Sequence, residues 1–256
     1  MRVLVTGAGG FLGRHVAAAL RARGDSVRGL DIAEMPAGIE GVRGSVTDPA
    51  AVGEAMAGTD AVIHAAAIAH LWARYPAAYT AVNVEGTRSV LAAAAGRPVL
   101  HVSSYVTLIG GSPAEPPAPL TEEDRLPEAE MLGSYPLSKH RAEALAEEAG
   151  AIVVLPSAPI GPGDLNLTPP GRMLADAAAG RLPAVLDCLM NVVDAESVAA
   201  GLLAALDRGR PGRRYLLTGE DVAMPELAAR IAAAAGVRPP RGRVPGWLAL
   251  TAAQVE

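Results

Sequence analysis

The stretch Val3-Leu4-Val5-Thr6-Gly7-Ala8-Gly9-Gly10-Phe11-Leu12-Gly13 decides the fold. A short apolar strand, Val3–Thr6, runs into a glycine turn and then into a helical stretch from about Leu12 to Arg23. The glycines have separate tasks: Gly7 permits the tight turn, Gly10 lets backbone approach a pyrophosphate, and Gly13 allows the helix to sit close on the strand. Phe11 and Leu12 open that helix, whose free N–H groups and positive dipole end favour phosphate. Asp31 ends a second strand, Ser26–Asp31. A carboxylate there accepts hydrogen bonds from adenine ribose hydroxyls and repels a 2′-phosphate. Ile32 follows it, where an NADP-binding protein often has arginine. The pattern favours NAD(H) over NADP(H), with Arg14 and Arg28 keeping the second open.

Outward from this turn, strand-like and helical stretches alternate. Asp60–Ala65 precedes a helical stretch from about Ala77 to Ala95. Val99–Ser103 follows, then a polar, proline-rich loop through Glu130, a helix carrying Tyr135 to Glu148, and Ile152–Leu155. Such alternation predicts an α/β fold, a Rossmann doubly wound parallel sheet with helices on both faces. Residues 1–160 are expected to form the dinucleotide-binding part. After Pro156 the chain is richer in turn signals. It has helical stretches near Arg172–Ala179, Glu196–Leu206 and Met224–Ala235, and strand-like ones near Met190–Val193 and Arg214–Leu217. Over 161–256 we expect a return to the sheet at about 190–218, with the remainder forming a small C-terminal substrate lobe.

Lys139 is the only lysine, and it stands four residues after Tyr135 in Tyr-Pro-Leu-Ser-Lys. Every other basic side chain, histidine aside, is arginine, so a retained lysine points to a task that needs a compact ammonium. On a helix the two residues share a face. A phenol titrates near about 10, too high for acid–base work at neutral pH. An adjacent ammonium and an oxidised nicotinamide are expected to pull it down. Upstream, Val102-Ser103-Ser104 ends the strand before this helix, so a serine hydroxyl there can reach the same region. The trio supports hydride transfer, with Tyr135 moving the proton, the serine holding the substrate oxygen and the nicotinamide carrying hydride.

Several motifs together carry a family resemblance: Thr6-Gly7-x-x-Gly10-x-x-Gly13, His64-Ala65-Ala66-Ala67, Asn83-Val84-Glu85-Gly86-Thr87, Ser103-Ser104, Tyr135-x-x-x-Lys139 and Pro156-x-x-x-x-Gly161-Pro162-Gly163-Asp164. Over nearly its whole length the chain resembles the extended short-chain dehydrogenase/reductase family, also called the NAD-dependent epimerase/dehydratase family. Leu71-Trp72, Pro159-Ile160-Gly161-Pro162, Thr168-Pro169-x-Gly171-Arg172 and Asn191-Val192-Val193-Asp194 resemble the branch holding hopanoid-associated sugar epimerase-like and dihydroflavonol reductase-like proteins. The resemblance implies that Ser104 is the catalytic serine, with Ser103 second. Tyr135 is then the general acid/base, and Lys139 binds the nicotinamide ribose and tunes Tyr135. Asn83 stands beside the site, Ala65 and Ala66 pass close to the cofactor, and Pro156 and Ser157 flank the nicotinamide. It also implies a homodimer through the two long helices. Three departures stand out. Ser45 replaces the usual Asp that touches the adenine amino group, Leu155 replaces a frequent arginine, and the chain ends at Glu256, earlier than most relatives.

Composition narrows the field further. Half of the 256 residues are apolar, enough for a large core, and aromatics are few. The net charge is −5 with scattered arginines, which does not suit nucleic acid. Apolar runs are too short for a bilayer, and Met1–Gly7 reads as a strand and turn rather than a signal peptide, so a cytoplasmic protein is expected. The one cysteine, Cys188, excludes an intrachain disulfide and is expected to be a small buried residue. The histidines have no metal-ligand spacing, and no metal is expected. Trp72 and Tyr105 are candidate pocket residues, while Glu122-Glu123-Asp124 reads as a solvated loop face. The leading expectation is an NAD-dependent enzyme that transfers hydride to or from a secondary alcohol or ketone, either as its whole reaction or as a step of a sugar epimerisation. A ketone reductase with net cofactor turnover and a non-catalytic dinucleotide-binding sensor stand as alternatives.

Overall fold

The computed structural model describes residues 1–70, 75–110 and 118–246. Along the chain, β1 (Arg2–Thr6), α1 (Phe11–Ala22), β2 (Ser26–Asp31), β3 (Glu40–Arg43), α2 (Pro49–Met56) and β4 (Ala61–His64) come first. A continuous helical run follows, made of α3 (Ala77–Tyr79), a π-helical stretch (Thr80–Glu85) and α4 (Gly86–Ala94). Then come β5 (Val99–Val102), α5 (Ser134–Glu148), β6 (Ile152–Pro156), β7 (Ala158–Ile160), α6 (Pro169–Ala178), β8 (Ala184–Asp187) and β9 (Leu189–Asp194). The last described elements are α7 (Ala195–Arg208), β10 (Arg214–Leu217), β11 (Glu220–Ala223), α8 (Met224–Ala234) and β12 (Gly242–Pro245).

Seven strands form one sheet in the order β10-β6-β5-β4-β1-β2-β3, every neighbouring pair parallel. Its inner strands β1, β4, β5 and β6 are buried on both faces, which is why they read as largely apolar runs. Val3 and Val5 face one cluster with Val16, Ala17 and Leu20 of α1 and Val198 and Leu202 of α7. Leu4 faces another with Val52 and Met56 of α2, Val90 of α4 and Ala146 of α5. The spacing Gly13, Val16, Ala17, Leu20 gives α1 one buried stripe. Each fully buried Leu or Val of this kind contributes about 1.5–3 kcal/mol. The order of strands reverses about β1, and the crevice at the carboxyl ends of β1 and β4 is where ligands bind in such sheets.

Beyond β6 the expected return to the main sheet is made by Arg214–Leu217, which pairs with β6. The strand-like stretch near Met190–Val193 does not join it. As part of β9 it sits between β7 and β11 in a three-stranded sheet, because Asn191 and Val192 register with Asp221 and Glu220 across an antiparallel pair. A further two-stranded sheet joins β8 to β12. Cys188, between β8 and β9, is exposed rather than buried. The turn that joins two separate sheets leaves it in solvent. No helix among the described residues is long and apolar enough to cross a membrane.

Candidate active site

The glycine turn is built as its sequence requires. Gly7 has φ +74°, and its N–H donates to Leu30 O at 2.8 Å. A Cβ on Gly7 would lie 2.8 Å from Ala66 N and 2.9 Å from Ala65 C, so the chain after β4 packs directly on the turn. A Cβ on Gly13 would overlap the Gly7 carbonyl oxygen and come within 2.9 Å of Ala8 Cα. Gly10 differs: within 4 Å its Cβ would meet only Gly7 O, at 3.2 Å. Gly10 is also the N-cap of α1 and brings no side chain to the first helical N–H groups of Phe11, Leu12 and Gly13. A bare backbone cradle at a helix N-terminus fits a pyrophosphate.

Asp31 lies under the same turn. Its carboxylate accepts from Gly9 N at 2.9 Å and Ala33 N at 2.8 Å, which holds the end of β2 against the glycine loop. Of the two arginines that kept NADP(H) open, Arg28 turns to Ala57 O and Glu40, and Arg14 donates to Gly9 O and Glu34 O. Ser45, the departure at the adenine position, bonds Thr47 instead.

At the carboxyl end of β5, Ser104 and Tyr135 come together. The Ser104 hydroxyl lies near enough to the Tyr135 phenol to favour its phenolate, and Tyr79 lies alongside with ring centroids 6.2 Å apart. Tyr135 and Lys139 are buried on one face of α5, as the four-residue spacing required. Lys139 Nζ donates to Val102 O at 2.7 Å. Burial brings its ammonium down to about 8, with the Glu143 carboxylate acting upward. The Tyr135 phenol moves opposite to expectation. Burial pushes it up to about 12, against the Ser104 hydroxyl, and the tyrosines at 79 and 105 push the same way as burial. Desolvation disfavours phenolate, and in this chain it is the largest effect. The positive charge of a nicotinamide, on which the expectation also drew, is not a property of the chain.

Asn83 lies in the π-helical stretch and is buried. Its side chain accepts from Ile68 N and donates to Ile68 O and Ser138 Oγ, so it braces the segment after β4 against α5. His64 is held between Thr6 Oγ1 at 2.7 Å and Thr87 Oγ1 at 2.9 Å. Burial lowers it to about 3, which leaves a neutral ring beneath the site. Ser157 Oγ is buried with no protein partner, at the position expected beside the nicotinamide. Pro156, the last residue of β6, pairs with Leu217 of β10.

Other readings change. Ser103 does not share the Tyr135 hydroxyl; it donates to Glu143 at 2.5 Å. Glu122, Glu123 and Asp124 are exposed, as a solvated loop face would be, while the backbone oxygens of Glu122 and Asp124 accept from buried Arg214. Glu143 and Arg214 were not singled out from sequence, although Glu143 stands four residues beyond Lys139 on the same face of α5. Tyr105 is partly buried, and burial raises it, with the Cys188 charge adding to the rise. Trp72 lies outside the described residues. No group of three or more His, Cys, Asp or Glu among the described residues is placed to hold a metal ion.

Comparison with known proteins gives a consistent picture. The pattern of the NAD dependent epimerase/dehydratase family matches residues 3–217. A 4-hydroxy-2-methyl-3-oxo-4-farnesyl-3,4-dihydroquinoline-1-oxide ketoreductase of Stigmatella aurantiaca is 32% identical, over 100% of this chain and 79% of its own length. A 2-alkyl-3-oxoalkanoate reductase of Stenotrophomonas maltophilia is 34% identical, over 92% of this chain and 76% of its own. Among solved structures, a short-chain dehydrogenase/reductase superfamily protein from Agrobacterium tumefaciens with bound NAD superposes with TM-score 0.79. It is 28% identical and covers 96% of this chain, which covers 86% of it.

Proposed function

This chain belongs to the NAD dependent epimerase/dehydratase family, and from that premise we propose that it interconverts a secondary alcohol and a ketone with NAD(H). The observation that carries the reading is the Ser104–Tyr135 hydroxyl pair with Lys139 one helical turn along α5. Gly7, Gly10 and the N–H groups of Phe11, Leu12 and Gly13 would hold the pyrophosphate, and Asp31 the adenine ribose. Ala65 and Ala66 would line the cofactor's path, with Pro156 and Ser157 beside the nicotinamide. When bound, the nicotinamide supplies or accepts the hydride. In the reducing direction Tyr135 gives its proton to the substrate oxygen, which Ser104 holds, and the resulting alcohol leaves. Lys139 stabilises the phenolate left behind until it takes a proton from solvent, and Asn83 holds the segment behind it. In the oxidising direction the same proton returns to Tyr135.

Net reduction is preferred to sugar epimerisation because the two relatives described above are named as reductases of oxo compounds. Residues 1–160 serve the cofactor and most of 161–256 the substrate. A homodimer through the helical run 77–94 and α5 is part of the proposal, as is residence in the cytoplasm; light scattering and cell fractionation test these.

The enzymatic test mixes the pure protein with NADH or NADPH and, separately, β-keto esters, 2-alkyl-3-oxo acids and nucleotide sugars. Nicotinamide absorbance is followed, and products are analysed. Loss of absorbance with an oxo compound, abolished in Tyr135→Phe, supports the reductase. Isomerised sugar without net turnover supports the epimerase. Cofactor binding with no turnover of any compound supports the sensor.

A further inference from the structure

One helical turn beyond Lys139, α5 carries a carboxylate on its buried face. Glu143 is only 4% exposed. Its Oε2 accepts from Ser103 Oγ at 2.5 Å and from Thr107 Oγ1 at 3.0 Å. These donors stand on either side of Ser104, and the single Thr107 hydroxyl proton is shared between Glu143 Oε2 and Ser104 O, each 3.0 Å from Oγ1. The backbone at Ser104 is extended, and its Oγ accepts from Val106 N at 3.4 Å. The segment carrying the serine is therefore gripped from before and after by one carboxylate, on the helix that carries Tyr135.

Glu143 is fixed in turn. Its Oε1 accepts from Arg214 Nη1 at 2.6 Å, and the Arg214 side chain is 3% exposed. Arg214 also donates to the carbonyls of Glu122 and Asp124, in the segment that precedes α5. A carboxylate meets all these donors with acceptors alone. An amide would turn an N–H₂ toward either the guanidinium or the two hydroxyls.

We propose that Glu143, oriented by Arg214, is a positioning residue that sets the Ser104 hydroxyl against Tyr135. This rests on reading Ser104 and Tyr135 as the reacting pair. Glu143 touches neither substrate nor cofactor in this scheme; it acts through the backbone around Ser104.

The test reads the Tyr135 hydroxyl directly. Protein labelled with ¹³Cζ-tyrosine and saturated with NAD⁺ gives one resonance per tyrosine, and Tyr135→Phe identifies that of Tyr135. Ser104→Ala is expected to move it, and Glu143→Gln to move it the same way. Leu202→Ala, which opens the core under α7, is expected to leave it in place. In ketone reduction, Glu143→Gln is expected to lower kcat by about 10- to 100-fold, with KM for NADH within about twofold. If Glu143→Gln does not fold, Thr107→Val removes one of the two grips, spares the ion pair and is expected to give a smaller shift of the same sign. A Ser104→Ala variant that leaves the resonance unmoved overturns the reading of the pair. A shift in Ser104→Ala but none in Glu143→Gln or Thr107→Val overturns the role of Glu143 alone.

Discussion

Alanine at Gly13 and alanine at Gly10 should fail in opposite ways. A Cβ at Gly13 would sit 2.7 Å from the carbonyl carbon of Gly7 and 2.9 Å from Ala8 Cα, besides overlapping the Gly7 oxygen. Each of these atoms is backbone, in a turn already pressed on Ala65 and Ala66, so no side chain can swing aside. Overpacking typically costs about 1–3 kcal/mol, and a backbone overlap belongs at the upper end. At about 2–4 °C per kcal/mol for a chain near this size, Gly13→Ala should lower Tm by roughly 6–12 °C. At Gly10, φ is −76°, which alanine adopts freely, and the methyl would meet only one atom within 4 Å. Its loss of stability should stay within about 1 kcal/mol, the ordinary cost of losing a good N-cap. The methyl would nonetheless occupy the cradle itself, and NAD⁺ should bind about 10- to 100-fold more weakly, about 1.4–2.8 kcal/mol. Thermal unfolding without ligand and calorimetric titration with NAD⁺ separate the two effects. A Gly13→Ala protein with wild-type Tm, or a Gly10→Ala protein with wild-type affinity, would refute the division into a packing glycine and a binding glycine.

Lys139→Arg is expected to impair both NAD⁺ affinity and turnover, because a wide planar fork must replace a fully enclosed ammonium bonded to Val102 O; wild-type kinetics would return the lone lysine to coincidence. Lys139 also gives the chain a pH dependence. It titrates near about 8 when folded against an ordinary 10.5, so stability is greatest above 10.5 and is lost as pH falls toward 8. Lys139→Met should abolish that slope, worth roughly 3 kcal/mol, in urea unfolding between pH 8 and 10.5. Arg214→Leu should cost about 3–5 kcal/mol by stranding buried Glu143, and the double variant with Glu143→Leu should recover much of it. Chemical denaturation of the four-member cycle measures this; additive losses would show that the pair does not interact.

The sequence made the first strand, turn and helix legible because each glycine there has its own steric reason, and a helix spacing put Tyr135 and Lys139 on one face. Other elements gave little signal. Glu40–Arg43 is a four-residue strand at the sheet edge with only Val42 buried. The strands Ala184–Asp187 and Gly242–Pro245 find their partners more than fifty residues away in sequence. Pro49–Met56 was readable in principle, since Asp48 caps it through Ala50 N and proline stands at its first position. The stripe that α5 buries contains Tyr135, Ser138, Lys139 and Glu143, so apolar periodicity could not find it. The direction of the Tyr135 shift was missed for a related reason: charge partners can be read from spacing, but enclosure cannot.

The π-helical stretch sets the alignment of three contacts. Tyr79 meets Tyr135, Asn83 meets Ser138, and Thr87 meets His64. In a regular α-helix, residues four apart fall out of line by about 40°, so the first and third of these would diverge by about 80°. A wider turn advances each residue through a smaller angle and takes back that drift. One rod can then reach Tyr135, the helix that carries it and the buried His64 imidazole. Removing one residue from Thr80–Glu85 would leave a regular helix, with Tyr79 swung about a quarter-turn from its partner.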